Sequence, residues 1–170
     1  MSRVHALPVL TVCTILVAAP ASAGDFRAVF AKHWQIAREF TLAVAEAMPA
    51  ESYDFKPTPE QLTFGRLMTH IAAQNSDSCA IATGATAVPE PQVSDKVTAI
   101  KYLTETFDAC ATALTAMPPE RLEAEVYRFQ GKPVLAEEAL WYTFTHMAHH
   151  RGQAEVYLRV KNITPPAWRF

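Results

Sequence analysis

Two histidines four residues apart, His146 and His150, stand in the run Thr145-His146-Met147-Ala148-His149-His150-Arg151-Gly152-Gln153. On a helix that spacing stacks the two imidazoles on one face, with Cβ atoms about 5–6 Å apart. Two such rings can converge on one metal ion at about 2.0–2.1 Å each. His149 lies about 100° around the helix from His150 and stands outside the pair. A third ligand has to come from another element. His70, in Leu67-Met68-Thr69-His70-Ile71-Ala72, is the candidate, because Leu67, Ile71 and Gln74 share its stripe and turn it toward a helical interior. Three neutral imidazoles leave at least one position of a divalent ion for water or substrate, as in catalytic rather than structural sites.

The competing account of these residues is plain packing. A lone interior histidine is commonly a core residue with a satisfied hydrogen bond, and pairs four apart arise by chance, so spacing alone leaves both readings open. Other chemistries are excluded more firmly. Residue 147 is Met where a zincin-type HExxH motif needs Glu, no Glu-x-x-His pair is available for a carboxylate di-iron site, and Cys-x-x-Cys-His is absent. A non-covalent haem held by Met48 and a histidine of the last helix would leave the other histidines unexplained. Five glycines, with no GxGxxG or GxxxxGK[ST] string, argue against nucleotide binding. A chain that is 50% apolar and 19% charged, with net charge −2, is neither disordered nor a basic nucleic-acid binder.

Around the histidines, Gln74 reads as a hydrogen-bond partner for the site or as an edge polar residue, and Tyr142 as pocket wall or core. Arg151 reads as the partner of an acid such as Glu138 or Glu155. His149 reads as partly exposed or as a hydrogen-bond partner within the bundle. Trp34, Trp141 and Phe144 read as core.

Four segments of helical periodicity must position these groups: about Asp25–Met48, Phe64–Thr83, Asp95–Met117 and Leu135–Lys161. Thr63 and Ser94 are the expected N-caps, Gly84 and Asn162 the left-handed C-caps, and prolines break the connections. Between Pro119 and Pro133 the run Val126-Tyr127-Arg128-Phe129 alternates, and Gly131-Lys132 offers a turn for a short hairpin. The expected fold class is all-α, a four-helix bundle, in one domain covering 24–170. Residues 1–23 read as a signal peptide, with Arg3, an apolar run from Ala6 to Ala19 and the small-x-small pattern Ala21-Ser22-Ala23. The run is too short to span a bilayer, and Val12 before Cys13 argues against a lipoprotein. Export to the periplasm or medium follows, with no stable membrane anchor.

Two blocks resemble the DinB/YfiT-like superfamily of metal-dependent bundle proteins. One is Tyr53-x-Phe55-Lys56-Pro57-Thr58-Pro59-Glu60 with Thr63-Phe64-Gly65-x-Leu67-x-x-His70-Ile71-Ala72. The other is His146-x-x-His149-His150-Arg151-Gly152-Gln153 with Val156-Tyr157-Leu158-Arg159 and Pro165-Pro166. The likeness spans about residues 26 to 166. It implies an up-down-down-up bundle, metal ligation by His70, His146 and His150, one divalent ion (zinc, nickel, iron or manganese) and homodimers. It also implies thiol-dependent transferase activity in some members, a role that an export signal sets in tension with the scarcity of such thiols outside the cytoplasm. Arg66 departs from the Glu expected opposite a capping Thr63.

Cys79 and Cys110 remain after cleavage. An oxidising compartment favours pairing them, whereas an ideal antiparallel helix pair would separate them by roughly 15 Å. Together these readings describe an exported metal-binding bundle, a hydrolase or transferase acting on a small molecule and not on nucleic acid. The alternative is a non-catalytic periplasmic metal-binding or structural protein.

Overall fold

The computed structural model describes residues 23–170; the expected signal peptide lies outside the described residues apart from its last position. Four helices form the body: α1 (Ala23–Ala47), α2 (Phe64–Thr83), α3 (Lys96–Ala116) and α4 (Ala136–Val160). Single-turn 3-10 segments at Ala50–Ser52 and Pro119–Glu123 and a two-stranded antiparallel hairpin, β1 (Glu125–Phe129) and β2 (Lys132–Leu135), fill the connections. No helix among the described residues is long and apolar enough to cross a membrane.

The ends follow from local chemistry. The Thr63 hydroxyl accepts from the Arg66 N–H (3.2 Å), and Gly84 closes α2 at φ 81°. Asn162 takes φ 60° after α4. The cap of α3 is Asp95, not Ser94. Its carboxylate accepts from both the Thr98 N–H (3.1 Å) and the Thr98 hydroxyl (2.7 Å), two bonds that a serine cannot accept with two oxygens. The hairpin turns one residue earlier than expected, at Gln130-Gly131, where φ values of 50° and 78° suit a tight two-residue turn. Arg66, in place of a capping Glu, pairs with Glu90 of the α2–α3 linker at 3.1 Å.

Contacts between the helices fix their directions. Arg27, Trp34 and Lys96 hydrogen bonds tie the start of α1 to the end of α3 and the end of α1 to the start of α3, so these two run antiparallel. Tyr157 donates to the Leu62 carbonyl (2.9 Å) while His150 meets His70, which makes α2 and α4 antiparallel as well. Phe26–Trp141 and Phe30–Phe144 ring contacts set α1 and α4 parallel. The order is up-down-down-up.

The parallel pairing of α2 and α3 comes from their linker. Residues 84–95 could extend about 40 Å, whereas the 20 residues of α2 span about 30 Å, so the chain can return along the whole helix before α3 begins. It does so under specific contacts. Val88 N–H donates to the Ser76 hydroxyl (2.7 Å), Tyr102 OH donates to the Val88 carbonyl (3.2 Å), and the Ser94 carbonyl lies against Gly65. Cys79 and Cys110 therefore sit at matching heights and form a disulfide with Cα atoms 5.7 Å apart. The roughly 15 Å offset holds for α2 and α3 running antiparallel, and here they run parallel.

Trp34 (1% exposed), Phe40, Phe64 and Phe107 fill the core. Trp34 Nε1–H donates to the Phe107 carbonyl at 3.1 Å, and Tyr53 OH to the Ala45 carbonyl at 2.8 Å, so both polar tips are satisfied. Trp141 departs from the expectation of core: it is 50% exposed, at the rim of a hollow between α1 and α4.

Two consequences are measurable. A Cβ at residue 65 would collide with the Ser94 backbone, which no side-chain adjustment relieves. Gly65→Ala should therefore cost at least about 2 kcal/mol in denaturant unfolding, and a neutral result would contradict the close linker contact. The disulfide joins residues 31 apart, so the Cys79→Ser/Cys110→Ser double variant should lose about 3–4 kcal/mol. A loss below about 1 kcal/mol would mean the crosslink does not restrain the unfolded chain as this loop length requires.

Candidate metal centre

α2 presents His70 and α4 presents His146 and His150 across their antiparallel seam. The three rings lie with centroids 5.0, 4.7 and 4.4 Å apart, and one donor nitrogen from each falls within 4.8 Å of the others. Nε2 of His70 and Nε2 of His150 are 3.3 Å apart. A tetrahedral ion with bonds of about 2.0–2.1 Å holds its ligand nitrogens about 3.4 Å apart, so this pair is already at ligating separation. All three residues are half-buried.

Burial and neighbouring charge hold two of the three rings, His70 and His146, in the ligating form. Burial, then the neighbouring His150, His70 and His149, pushes His146 down to about 4. Burial, with His150 next in weight, also lowers His70. Both rings are neutral at pH 7, as metal ligation requires. Nδ1 of His146 is buried with no hydrogen-bond partner. Such an orphan costs free energy, and coordination through Nδ1 would give it a partner. The donor set, the spacing and the orphaned nitrogen all fit a divalent transition metal.

Gln153 organises the face of α4. Its Oε1 lies 2.8 Å from Nδ1 of His150, and its Nε2 lies 3.0 Å from Nε2 of His149. A carbonyl oxygen only accepts, so Nδ1 of His150 donates to it, and in the neutral ring Nε2 is then the nitrogen that offers a lone pair toward His70. Fixing a ligand tautomer through the distal nitrogen is the usual task of a supporting residue. From the sequence, Gln74 is a candidate for that task. Gln74 instead lines a neighbouring hollow and forms no hydrogen bond to the histidines. The i, i+3 spacing of His150 and Gln153 was the signal available.

His149 is exposed and serves Gln153, and His33 packs on the Phe170 ring at 4.6 Å, away from the cluster. Tyr142 is wall, not core: it is 47% exposed, with its ring 5.6 Å from that of His146. Arg151 forms no ion pair with Glu138 or Glu155. Its guanidinium stacks over Phe40 at 4.3 Å, and Glu138 instead accepts from the Leu135 N–H at the start of α4.

A hollow of about 490 Å³ lies farther along the same seam; no histidine lines it, and Tyr142, whose ring is 5.6 Å from that of His146, stands between it and the cluster. Gln74, Asp77 and Ile81 line it from α2, Tyr142 from α4, and Tyr127 and Phe129 of the hairpin form its outer wall. Its size is that of a small-molecule site.

The model of the DinB family matches residues 22–169. Among solved structures, a DinB-like protein of Bacillus subtilis (YjoA) superposes with a TM-score of 0.70 at 20% identity, covering 82% of this chain and 96% of that one. A DinB-like protein of Bacillus cereus gives 0.68 at 24% identity, covering 82% and 95%. Comparison with functionally curated proteins found no match. With a family match over nearly its whole described length and the fold of two DinB-like structures, the chain belongs to the DinB family.

Proposed function

We propose that this protein binds one divalent transition metal (zinc, nickel, iron or manganese) through His70, His146 and His150, and that it acts as a metal-dependent hydrolase or transferase on a small molecule. The observation that carries the reading is the convergence of three imidazole nitrogens from two helices within 4.8 Å, one pair already at ligating separation. The hollow farther along the seam favours an enzyme over a storage or structural protein, since it gives a substrate a place near the cluster. A bound divalent cation supplies Lewis acidity, able to polarise a carbonyl or phosphoryl oxygen or to make water acidic. The chain's own residues supply the rest. Gln153 holds His150 in the ligating tautomer, Tyr142 walls the site, and the hairpin aromatics shield substrate from water.

The proposal extends to an exported protein in an oxidising compartment. The leader-like segment 1–23 and the Cys79–Cys110 disulfide both support it, because disulfides persist where thiols are not kept reduced.

Elemental analysis of protein recovered through its native export route tests the site. About one equivalent of metal is expected in the wild type, and little in His150→Ala. Gln153→Leu, which leaves all three ligands in place, should weaken metal affinity by about 10- to 100-fold. Absence of metal, together with zinc and nickel affinities weaker than about 10 μM, would sink the proposal and leave the histidines as packing residues.

A further inference from the structure

On the other side of α4 lies a second hollow, of about 420 Å³, between α1 and α4. Its walls are apolar, built largely from Phe26, Phe30, Trp141 and Phe144, with the Trp168 and Phe170 rings of the C-terminal tail over it. The tail is lightly held. Arg169 pairs with Glu39 at 3.3 Å and Phe170 stacks on His33, yet Trp168 and Phe170 remain mostly exposed. The polar residues lining the hollow are Arg151, Arg169 and His33; no acidic residue lines it.

Arg151 is the unusual member. It is half-buried, lies over the Phe40 ring, and makes its one polar contact to the Met147 sulfur at 3.4 Å. No carboxylate or carbonyl among the described residues accepts from it within hydrogen-bonding distance. A desolvated guanidinium is ordinarily paired with an anion. Arg169 by contrast has its carboxylate in Glu39. An aromatic-walled hollow with an unpaired cation in it is complementary to a molecule with an apolar body and one negative head.

We propose that this hollow binds a free amphipathic carboxylate, its chain along the aromatic wall and its carboxylate on the Arg151 guanidinium. Arg151 suits the head because its planar fork can donate two parallel N–H bonds to a carboxylate. The volume falls within the range of small-molecule sites. The site is separate from the histidine cluster, and no residue of the cluster lines it.

Decanoate, below its micelle-forming concentration, is the probe, with decanol as the neutral molecule of equal chain length. Trp141 and Trp168 at the hollow supply a fluorescence signal, and calorimetry gives the stoichiometry. Decanoate should bind saturably at one per chain, at least tenfold more tightly than decanol. Arg151→Met, which keeps an apolar stem on Phe40, should lose at least tenfold for decanoate and nothing for decanol. Ala148→Phe, which fills the hollow without touching its charge, should abolish both. Equal affinity for decanoate and decanol would overturn the assignment of Arg151, and no saturable binding to the folded wild type would overturn the site. A fluorescence change that follows protein concentration alone would place a second copy of the chain on this face and also defeat the proposal.

Discussion

The twelve residues between α2 and α3 set the constraint on which the rest of the bundle depends. A short connection would make consecutive helices antiparallel; this linker instead retraces α2 and starts α3 beside Gly65. The retrace is held along its length by the Ser76–Val88, Tyr102–Val88 and Arg66–Glu90 contacts. With α2 and α3 running the same way, α1 and α4 both run the other way, each packed antiparallel on one of them. That arrangement places His70 opposite the His146–His150 pair, and Cys79 opposite Cys110. The site and the crosslink are two outcomes of one topological choice.

Most polar groups elsewhere in the core find partners. Trp34, Tyr53 and Tyr157 each bury a polar tip, and each finds a backbone carbonyl. Buried Thr41, Thr106 and Thr143 bond back to their own helices. Against that background the histidine cluster is poorly self-satisfied. Neutral rings stand edge to edge, and His146 keeps an orphaned nitrogen. Protons cannot fill the gap cheaply, because burial and the mutual repulsion of charged neighbours oppose protonation of His146 and His70. A cation bound by the three rings, with Nδ1 of His146 among its ligands, would answer both problems at once. Asn75 is the other orphan in the core, and nothing in the structure explains it.

Much of this was legible in the residues because the signals were local. Helical periodicity and prolines located all four helices to within about two residues. Thr63 and Asn162 took the conformations that their side chains favour, and Gly84 the left-handed one that its lack of a Cβ allows. The triad was legible as spacing plus stripe, although periodicity could not say whether α2 meets α4. What stayed hidden was relational. The disulfide turned on helix direction, which a contact-guided linker decides and no local propensity encodes. Trp141 read as core because its spacing to Phe144 is helical, but the stripe it shares faces a hollow. Arg151 read as half of an ion pair because arginines usually are; its actual neighbours, Phe40 and Met147, are distant in sequence or uncharged.

The geometry of α4 explains how one helix serves two hollows. At 100° per residue, Tyr142, His146, His150 and Gln153 fall on one stripe, and Trp141, Phe144, Ala148 and Arg151 fall on a stripe nearly opposite. The core-facing residues Ala139, Thr143, Met147 and Ala154 lie between them. A surface helix ordinarily gives its remaining face to solvent; α4 flanks its buried strip with a polar seam toward α2 and an aromatic seam toward α1. Occupants of the two seams do not compete for space. They do share a rigid element, and Met147 is a physical link, with its sulfur contacted by Thr41 of α1 and by Arg151. A ligand that draws Arg151 away from that sulfur acts on the turn that carries His146 and His150. Any influence it has on metal affinity must be returned in equal measure by the metal, since coupling between two binding events is reciprocal.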